Sequence, residues 1–371
     1  MVSASVISDI YVHLPFCAHK CDYCAFLSIE GADRSLRGRF LDRLERELDM
    51  LSARCGPLAT IYLGGGTPTH FAPGELLRLM TMIRRHFSLR DDCEFTCEGN
   101  PLSLTRDKIE ILLDAGVNRI SIGVQSFSED TRQAIGRGGD VNRVYEVFDD
   151  LRQCKVRSIN CDLIFAAPQQ TVESATADVR RLSDLGPDHV SAYSLIVEPG
   201  TPLAARGVRE RDDDGLVAMW EAADSILAAN CGMHRYEVSN HARPGHECRH
   251  NCRIWKGHRF LGAGPSACWF DEAGRWQNPP DLDAWFDGDA PQLDSLSPPA
   301  RAAEILGTGL RTTAGWQRSE YRERTGYDFF ELRSLQIEAL IADGLLEHND
   351  DDLRPTRRGL LFANHIAREL L

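Results

Sequence analysis

The feature that most constrains the fold is a repeated alternation of strand-like and helix-like segments between residues 9 and 195. The strand-like segments are Asp9–Leu14, Thr60–Leu63, Glu94–Cys97, Arg119–Val124, Ser158–Phe165 and His189–Leu195. The segments between them, such as Arg37–Arg54, Gly74–Arg85 and Thr105–Ala115, place apolar residues three and four positions apart, as amphipathic helices do. The alternation predicts an α/β fold with a parallel sheet and crossover helices. Six units are fewer than the eight of a closed TIM barrel, so we expect a partial (β/α)6 barrel.

Unusual residues follow the carboxyl ends of the first four predicted strands. The first strand leads into the cysteines of residues 17–24, the second into Gly64–Pro68, the third into Glu98–Pro101 and the fourth into Gln125–Ser126. Ligands of parallel α/β sheets bind at this edge. The sequence therefore predicts one site that is built from several loops.

The remainder of the chain has a looser pattern. A helix is predicted over Gly215–Ala229, and a segment rich in Gly, His and Cys continues to Ala267. The Pro279–Pro299 stretch is interpreted as a linker with one short turn at Trp285. Helices are predicted at 301–311, 319–324 and 331–343, followed by a hairpin between Gly344 and Thr356 and a closing helix. We predict three parts: a barrel over 1–240, a His- and Cys-containing loop and linker over 241–296, and a winged-helix-like α+β domain over 297–371.

Composition narrows the class of function. The net charge of −13 argues against general binding to nucleic acid or to an anionic membrane, because no basic patch offsets it. The opening Met1–Ile10 lacks the features of a signal peptide, and no apolar run approaches the roughly 18 residues of a membrane helix. We therefore expect a cytoplasmic protein whose 12 cysteines serve burial or metal chemistry rather than disulfides.

Cys17, Cys21 and Cys24 form a Cys-x-x-x-Cys-x-x-Cys pattern. Three thiolates on one loop can hold three corners of a 4Fe–4S cluster, which normally has four cysteine ligands. The fourth iron would then be open to the amino and carboxylate groups of S-adenosylmethionine. A zinc site that includes His13 or His19 is the alternative that this pattern leaves open.

Tyr11–Phe26 resembles the opening motif of radical S-adenosylmethionine proteins of the oxygen-independent coproporphyrinogen oxidase group, and it is most similar to their haem-chaperone branch. The resemblance covers residues 1–270 motif by motif and the C-terminal part more loosely. It implies a radical-SAM barrel, a 4Fe–4S cluster on Cys17, Cys21 and Cys24, S-adenosylmethionine as cofactor and an electron donor as partner.

The same resemblance implies roles for individual residues. Gly66 and Thr67 would meet the methionyl amino group, and Tyr11 and Glu98 would contact the first S-adenosylmethionine. A second S-adenosylmethionine position would be lined by Tyr23, Gln125, Arg137 and Asp162. Because Asp162 lies within an apolar run, it needs a partner, and we expect Arg137 to supply it directly or through a ligand. A structural ion pair is the competing interpretation.

The segment Tyr236–Trp255 resembles a family motif whose histidine is implicated in haem binding, which maps to His250. The match is imperfect, since Ile254 stands where the motif has Tyr and the segment ending at Cys268 lacks a histidine of the relatives. A histidine that only holds the loop is the first alternative. A zinc site made of His246, Cys248, His250 and Cys252 is the second.

Three functions remain open at this stage. Oxidases of the group carry a fourth cysteine where this chain has Phe26, and they have a longer segment before the motif, so the sequence favours the haem-chaperone branch. Such a protein would carry haem as cargo to acceptor haemoproteins. The alternatives are a radical S-adenosylmethionine enzyme, either a methyltransferase or a porphyrin-modifying coproporphyrinogen dehydrogenase, and a zinc-stabilised binding module.

Overall fold

Six parallel strands form the predicted partial barrel in the computed structural model, which describes residues 6–209 and 213–371. The strands are β1 (Ile7–Leu14), β2 (Cys55–Gly65), β3 (Leu89–Gly99), β4 (Arg119–Gln125), β5 (Ser158–Phe165) and β6 (His189–Ser194). The helices among them are α1 (Arg34–Ser52), α2 (Pro73–His86), α3 (Arg106–Asp114), α4 (Glu129–Ala134), α5 (Asn142–Gln153) and α6 (Val172–Leu185). The predicted (β/α)6 class is therefore confirmed.

Later parts of the chain extend both edges of this sheet. They contribute β7 (His234–Arg235), β8 (Asn240–Ala242) and β9 (Leu261–Ala263). The order across the sheet is β7-β8-β6-β5-β4-β3-β2-β1-β9. β8 pairs antiparallel with β6, and β9 pairs parallel with β1. The barrel therefore stays open between β7 and β9, whereas the edges of the six-strand sheet are covered.

Alternate residues along these strands have different character. Every second residue is apolar and packs into the main core, which includes Ile10, Val12, Ile61, Leu63, Phe95, Ile120, Ile122, Cys161 and Val190. The residues between them are polar and face the barrel interior, called the lumen here. The lumen is lined by Asp9, Tyr11, His13, Thr60, Tyr62, Glu94, Thr96, Glu98, Arg119, Ser121, Asn160, Asp162 and His189. Successive strand residues point to opposite faces, so this alternation separates a helix-facing core from a polar lumen.

Local signals explain where the crossover helices begin and end. Asp33 caps α1 by accepting a hydrogen bond from the Leu36 amide at 2.8 Å. Thr171 and Ser174 form a capping box at the start of α6, and Gly186 ends that helix with a φ of 62°. Polar N-caps and a left-handed glycine satisfy backbone groups that a helix leaves free at its ends.

The C-terminal part has its own core and two small antiparallel sheets. Its strands are β10 (Cys268–Phe270), β11 (Arg275–Gln277), β12 (Gln292–Leu293), β13 (Trp316–Gln317), β14 (Leu346–His348) and β15 (Asp352–Pro355). The remaining helices are α7 (Pro202–Ala205), α8 (Asp213–Cys231), α9 (Arg249–Trp255), α10 (Leu282–Asp287), α11 (Pro298–Gly309), α12 (Arg318–Thr325), α13 (Phe329–Ala342), α14 (Arg357–Leu361) and α15 (Ala363–Leu370). β14 and β15 form the expected hairpin. None of the described helices combines the length and apolar character that a bilayer span requires.

The Pro279–Pro299 stretch, interpreted from its composition as a linker, packs closely on the barrel. Its helix α10 inserts Trp285, which is 1% exposed, beside Phe40 with a ring-centroid distance of 5.2 Å. The Trp285 indole also donates a hydrogen bond to Glu47 at 3.1 Å. This stretch therefore fastens the C-terminal part to α1 instead of only connecting two domains.

We expect Trp285→Ala to destabilise the protein by about 3–5 kcal/mol, because it opens a cavity in the core and removes a donor from the buried Glu47. Urea unfolding measures the change. Leu335→Ala is the control, since that side chain is 76% exposed. A Trp285→Ala effect as small as the control's would mean that α10 does not hold the C-terminal part in place.

Candidate functional site

The three predicted cluster ligands lie on one closed loop, residues 15–29, that follows β1. The Cys17 amide donates to the Ile29 carbonyl at 3.0 Å, and the Ile29 amide donates to the Pro15 carbonyl at 2.7 Å. Within the loop, the Cys24 amide donates to the Cys21 carbonyl at 3.1 Å. These bonds place all three thiols at the carboxyl end of β1, as the sequence predicts.

Polar groups lie beside two of the three thiols. Burial raises the pKa of Cys17 and of Cys24, which favours their protonated thiol forms, so a metal that bound them would displace those protons. Cys17 Sγ lies 3.4 Å from Thr67 Oγ1, and Arg137 Nη1 donates to Cys21 Sγ at 3.6 Å. Over residues 6–209 and 213–371, no three or more His, Cys, Asp and Glu side chains converge as a single metal ion requires. Thiolates that bind different irons of one cluster need no such convergence.

His13 is a hydrogen-bonded support of this loop and is not placed as a zinc ligand. Its Nε2 donates to the Leu27 carbonyl at 3.0 Å, so its Nδ1 must accept from the Tyr11 hydroxyl, also at 3.0 Å. His19 Nδ1 lies 2.9 Å from a carboxylate oxygen of Glu30 instead. The supporting role of His13 was not predicted, although its position among the alternate residues of β1 that face the lumen, beside the cysteines, was a usable signal.

Glycines at the end of β2 allow the backbone to approach the cysteine loop. The amides of Gly66 and Thr67 donate to the carbonyls of Leu14 and Phe16, each at 2.9 Å. A Cβ added to Gly66 would lie 2.7 Å from the carbonyl carbon of Pro15, which no real side chain tolerates. Glycine is therefore required here by backbone packing, and the predicted contact with a ligand remains a prediction.

Glu98 stands in the lumen at the end of β3. Its carboxylate accepts from the Tyr62 hydroxyl at 2.7 Å and from the Gly65 amide at 3.2 Å. Burial is the main cause that raises its pKa to about 7. A carboxyl group that titrates near neutral pH can accept from a ribose hydroxyl or an amine, as predicted for this residue. The hydrogen bond from Tyr62 to Glu98 was not predicted, because it depends on the register of β2 against β3.

The expected direct pairing of Arg137 with Asp162 is wrong. Arg137 instead donates to the Gly123 carbonyl and to Cys21. Asp162 is satisfied by its neighbours in the sheet, since Asn160 Nδ2 donates to it at 2.8 Å and Ser121 at 3.2 Å. These donors from adjacent lumen positions hold both oxygens of Asp162, and burial raises its pKa. A pairing of Arg137 with Asp162 through a ligand stays a prediction.

Gln125 and Tyr23 complete the predicted second S-adenosylmethionine position. Gln125 has a φ of 70° at a bulge where the pairing of β4 with β5 shifts register. Such a conformation is costly for a residue other than glycine and is common at functional sites. Tyr23 is half-buried and packs against a small apolar cluster that includes Ile135 and Leu203. Gln125 is the last residue of β4, and Arg137 contacts Cys21.

His250 lies at the other end of the lumen, on α9. It is 2% exposed, its Nδ1 is 2.7 Å from Thr60 Oγ1, and its ring centroid is 5.3 Å from that of Tyr62. Its Nε2 is buried and has no hydrogen-bond partner among the described residues. Burial lowers the pKa of His250 to about 4, so the imidazole is neutral near pH 7.

The four residues of the second zinc alternative do not converge on one point. His246 Nδ1 lies 3.2 Å from Ser158 Oγ, whereas Cys248 donates to Glu94 at 3.7 Å. His250 is directed at Thr60, as described above. Three of the four side chains therefore have separate partners, and no three potential ligands converge among the described residues, so this alternative is wrong for the structure.

Comparisons with known proteins agree with this architecture. Residues 11–182 match the model of the Radical SAM superfamily, and residues 296–362 match that of the HemN C-terminal domain. The "Heme chaperone HemW" of Bacillus subtilis is 32% identical, with 97% of this chain and 98% of the relative covered. The protein of that name from Mycobacterium tuberculosis is 34% identical, covering 98% and 94%. The chain belongs to the HemW family.

The fold of this HemW-family chain is also similar to a solved structure. Coproporphyrinogen III oxidase (HemN) from Escherichia coli superposes with a TM-score of 0.85, covering 98% of this chain and 90% of the other. The two are 23% identical, so the likeness is one of fold. At the position where the oxidases were expected to have a fourth cysteine, Phe26 is 68% exposed on the cysteine loop.

Glu98 predicts a specific pH dependence of stability. The pKa of Glu98 is raised from its ordinary value of 4.5 to about 7 in the folded chain. At pH values between these two, Glu98 keeps a proton in the folded chain that it has released in the unfolded chain, so stability falls as pH rises. The effect is at most about 3 kcal/mol. We expect Glu98→Gln to flatten the pH 5–8 stability profile from urea unfolding, whereas Glu338→Gln on the exposed face of α13 should leave it unchanged. An unaltered profile in Glu98→Gln would contradict the raised pKa.

Proposed function

We propose that this chain is a haem chaperone that binds haem and transfers it to acceptor haemoproteins, and that it carries a 4Fe–4S cluster and S-adenosylmethionine. The observation that carries the proposal is the near full-length similarity to relatives named heme chaperones. An exposed Phe26 in place of a further cysteine supports the same branch.

The cysteine loop is proposed to hold the cluster. Cys17, Cys21 and Cys24 would supply three thiolates, and the iron without a protein ligand would bind S-adenosylmethionine. When bound, the two groups supply one-electron chemistry, with electrons from a separate donor protein. Arg137 donates a hydrogen bond to Cys21 Sγ, and the His13–Leu27 hydrogen bond holds the loop against β1.

The carboxyl ends of β1 to β5 are proposed to hold S-adenosylmethionine. Gly66 and Thr67 lie against the start of the cysteine loop, where they could meet the methionyl amino group. Tyr11 and Glu98 would bind one molecule from the lumen side. Tyr23, Gln125, Arg137 and Asp162 would line a second position. Glu98 is held ready for this role, since Tyr62 and the Gly65 amide fix both of its oxygens.

The cluster assignment predicts a sharp difference between two cysteine variants. After anaerobic reconstitution, the wild type should hold about four iron and four sulfide ions per chain. Cys24→Ser should lose the cluster and its visible absorbance, whereas Cys268→Ser should retain both, because Cys268 is an exposed cysteine outside the loop. Full iron content in Cys24→Ser, or zinc in place of iron in the wild type, would refute the assignment.

The chaperone function predicts binding without turnover. Titration of the reconstituted protein should give one haem per chain by Soret absorbance, and the haem should pass to an apo-haemoprotein. Deoxyadenosine and methylated porphyrin should stay at background in the same samples. Catalytic formation of a modified porphyrin by a chain that does not retain haem would favour the radical S-adenosylmethionine enzyme instead.

A further inference from the structure

A small cavity lies at the amino-terminal end of the barrel, where β4 and β5 begin. Its volume is about 50 Å³, and its lining includes Arg119 and Ser158, the first residues of those two strands. Residues 245–247 and Arg249, from the segment that leads into α9, form another part of the lining. Because the cysteine loop follows the carboxyl end of β1, the proposed function uses the opposite end of this parallel sheet.

Arg119 brings a buried positive charge to the cavity. Its side chain is 3% exposed, and its Nε is buried without a hydrogen-bond partner among the described residues. Within residues 6–209 and 213–371, no carboxylate lies at ion-pair distance from its guanidinium. Arginine is not deprotonated in proteins, and an unpaired buried charge is costly. The donors of Arg119 are therefore available to a ligand.

Two carboxylates that line the cavity are hydrogen-bonded to donors other than Arg119. Glu94 accepts from the amides of Arg249 and His250, each at 2.9 Å. Asp92 pairs with the side chain of Arg249 at 3.2 Å. These contacts hold the residues before and within α9 against β3, and they leave the charge of Arg119 without a direct partner.

A second guanidinium lines the same cavity. Arg157 is exposed and precedes Ser158, which lies opposite Arg119 in the register of β4 against β5. No ion pair of Arg157 is found in the described part of the chain, and Glu247, the third carboxylate of the lining, accepts from the Gly245 amide at 3.0 Å. The planar fork of a guanidinium binds two oxygens of a carboxylate or phosphate at once.

The volume of the cavity limits the size of such a ligand. One water molecule needs about 10–15 Å³ by this measure, so the cavity admits about three to five water-sized groups. That is the size of an inorganic oxyanion or of a single carboxylate group with its first carbon. A nucleotide or a porphyrin does not fit.

We propose that this cavity binds one small oxyanion, which Arg119 and Arg157 hold at the amino-terminal end of the barrel. Inorganic phosphate and the carboxylate of a small organic acid share the required chemistry. The anion supplies the counter-charge that Arg119 lacks and fills the space between β4, β5 and residues 245–249. This inference is independent of haem, of the cluster and of S-adenosylmethionine.

Calorimetric titration of the full-length protein tests the site, with inorganic phosphate and sodium formate as separate probes at constant ionic strength. We expect one binding site per chain for at least one of them. Saturable phosphate binding identifies an inorganic oxyanion site, and formate binding without phosphate binding identifies a carboxylate site. The bound anion should also raise the urea midpoint, because it binds only the folded chain. Failure of both anions to bind would overturn the inference.

Three variants locate the binding. We expect Arg157→Gln to weaken binding of the anion by about tenfold, since it removes one charged donor, and Arg119→Gln to abolish it. Arg46→Gln is the matched control, because Arg46 is an exposed arginine of α1 outside the cavity lining. Circular dichroism establishes that each variant is folded.

Equal affinity in the wild type and Arg157→Gln would overturn the assignment to this cavity. That comparison holds even where Arg119→Gln does not fold, because Arg157 is exposed and its replacement leaves the core intact. Unchanged binding in a folded Arg119→Gln protein would overturn it equally, as would a loss of affinity in Arg46→Gln as large as that in Arg157→Gln.

Discussion

The alternation of apolar and polar side chains along the six parallel strands is the constraint on which the rest of the structure depends. Residues such as Ile61 and Leu63 point outward into the helices, while Thr60 and Tyr62 between them point into the lumen. Most closed TIM barrels fill their interior with branched apolar side chains. Here the interior is polar, so its side chains must satisfy one another or a ligand, because an unpaired buried polar group is costly.

That polar lumen explains the electrostatics of the site. Glu98 and Asp162 lie in it together, and burial raises the pKa of both carboxyl groups. A ligand with a positive charge would offset this cost, and the sulfonium of S-adenosylmethionine carries one. These two carboxyl groups therefore suit the proposed cofactor.

Much of this arrangement follows from local sequence signals, and the rest depends on contacts between distant segments. The strands and the residues at their ends were predictable because periodicity and glycine content are local. The full set of Asp162 partners was not, since only the register of β4 against β5 places Ser121 beside it, although Asn160 lies two residues away on the same strand. The burial of His250 depends on the docking of α9 against Thr60, a contact between residues 190 positions apart. Composition likewise gave no indication that Trp285 would enter the core of the barrel.

The two ends of the lumen are connected by one chain of hydrogen bonds. Asn160 donates to Asp162, so its oxygen must accept from His189 Nδ1, and His189 Nε2 then accepts from the Tyr236 hydroxyl at 2.8 Å. The same hydroxyl accepts from the amide of Cys248, the residue that precedes α9, at 3.2 Å. The direction of each of these hydrogen bonds is fixed by its neighbours. At one end the Asn160 amide nitrogen can only donate to Asp162, and at the other end the Cys248 backbone amide can only donate to Tyr236. Asp162, which is proposed to bind S-adenosylmethionine, and the start of α9 are thus joined by one hydrogen-bonded network through the barrel interior.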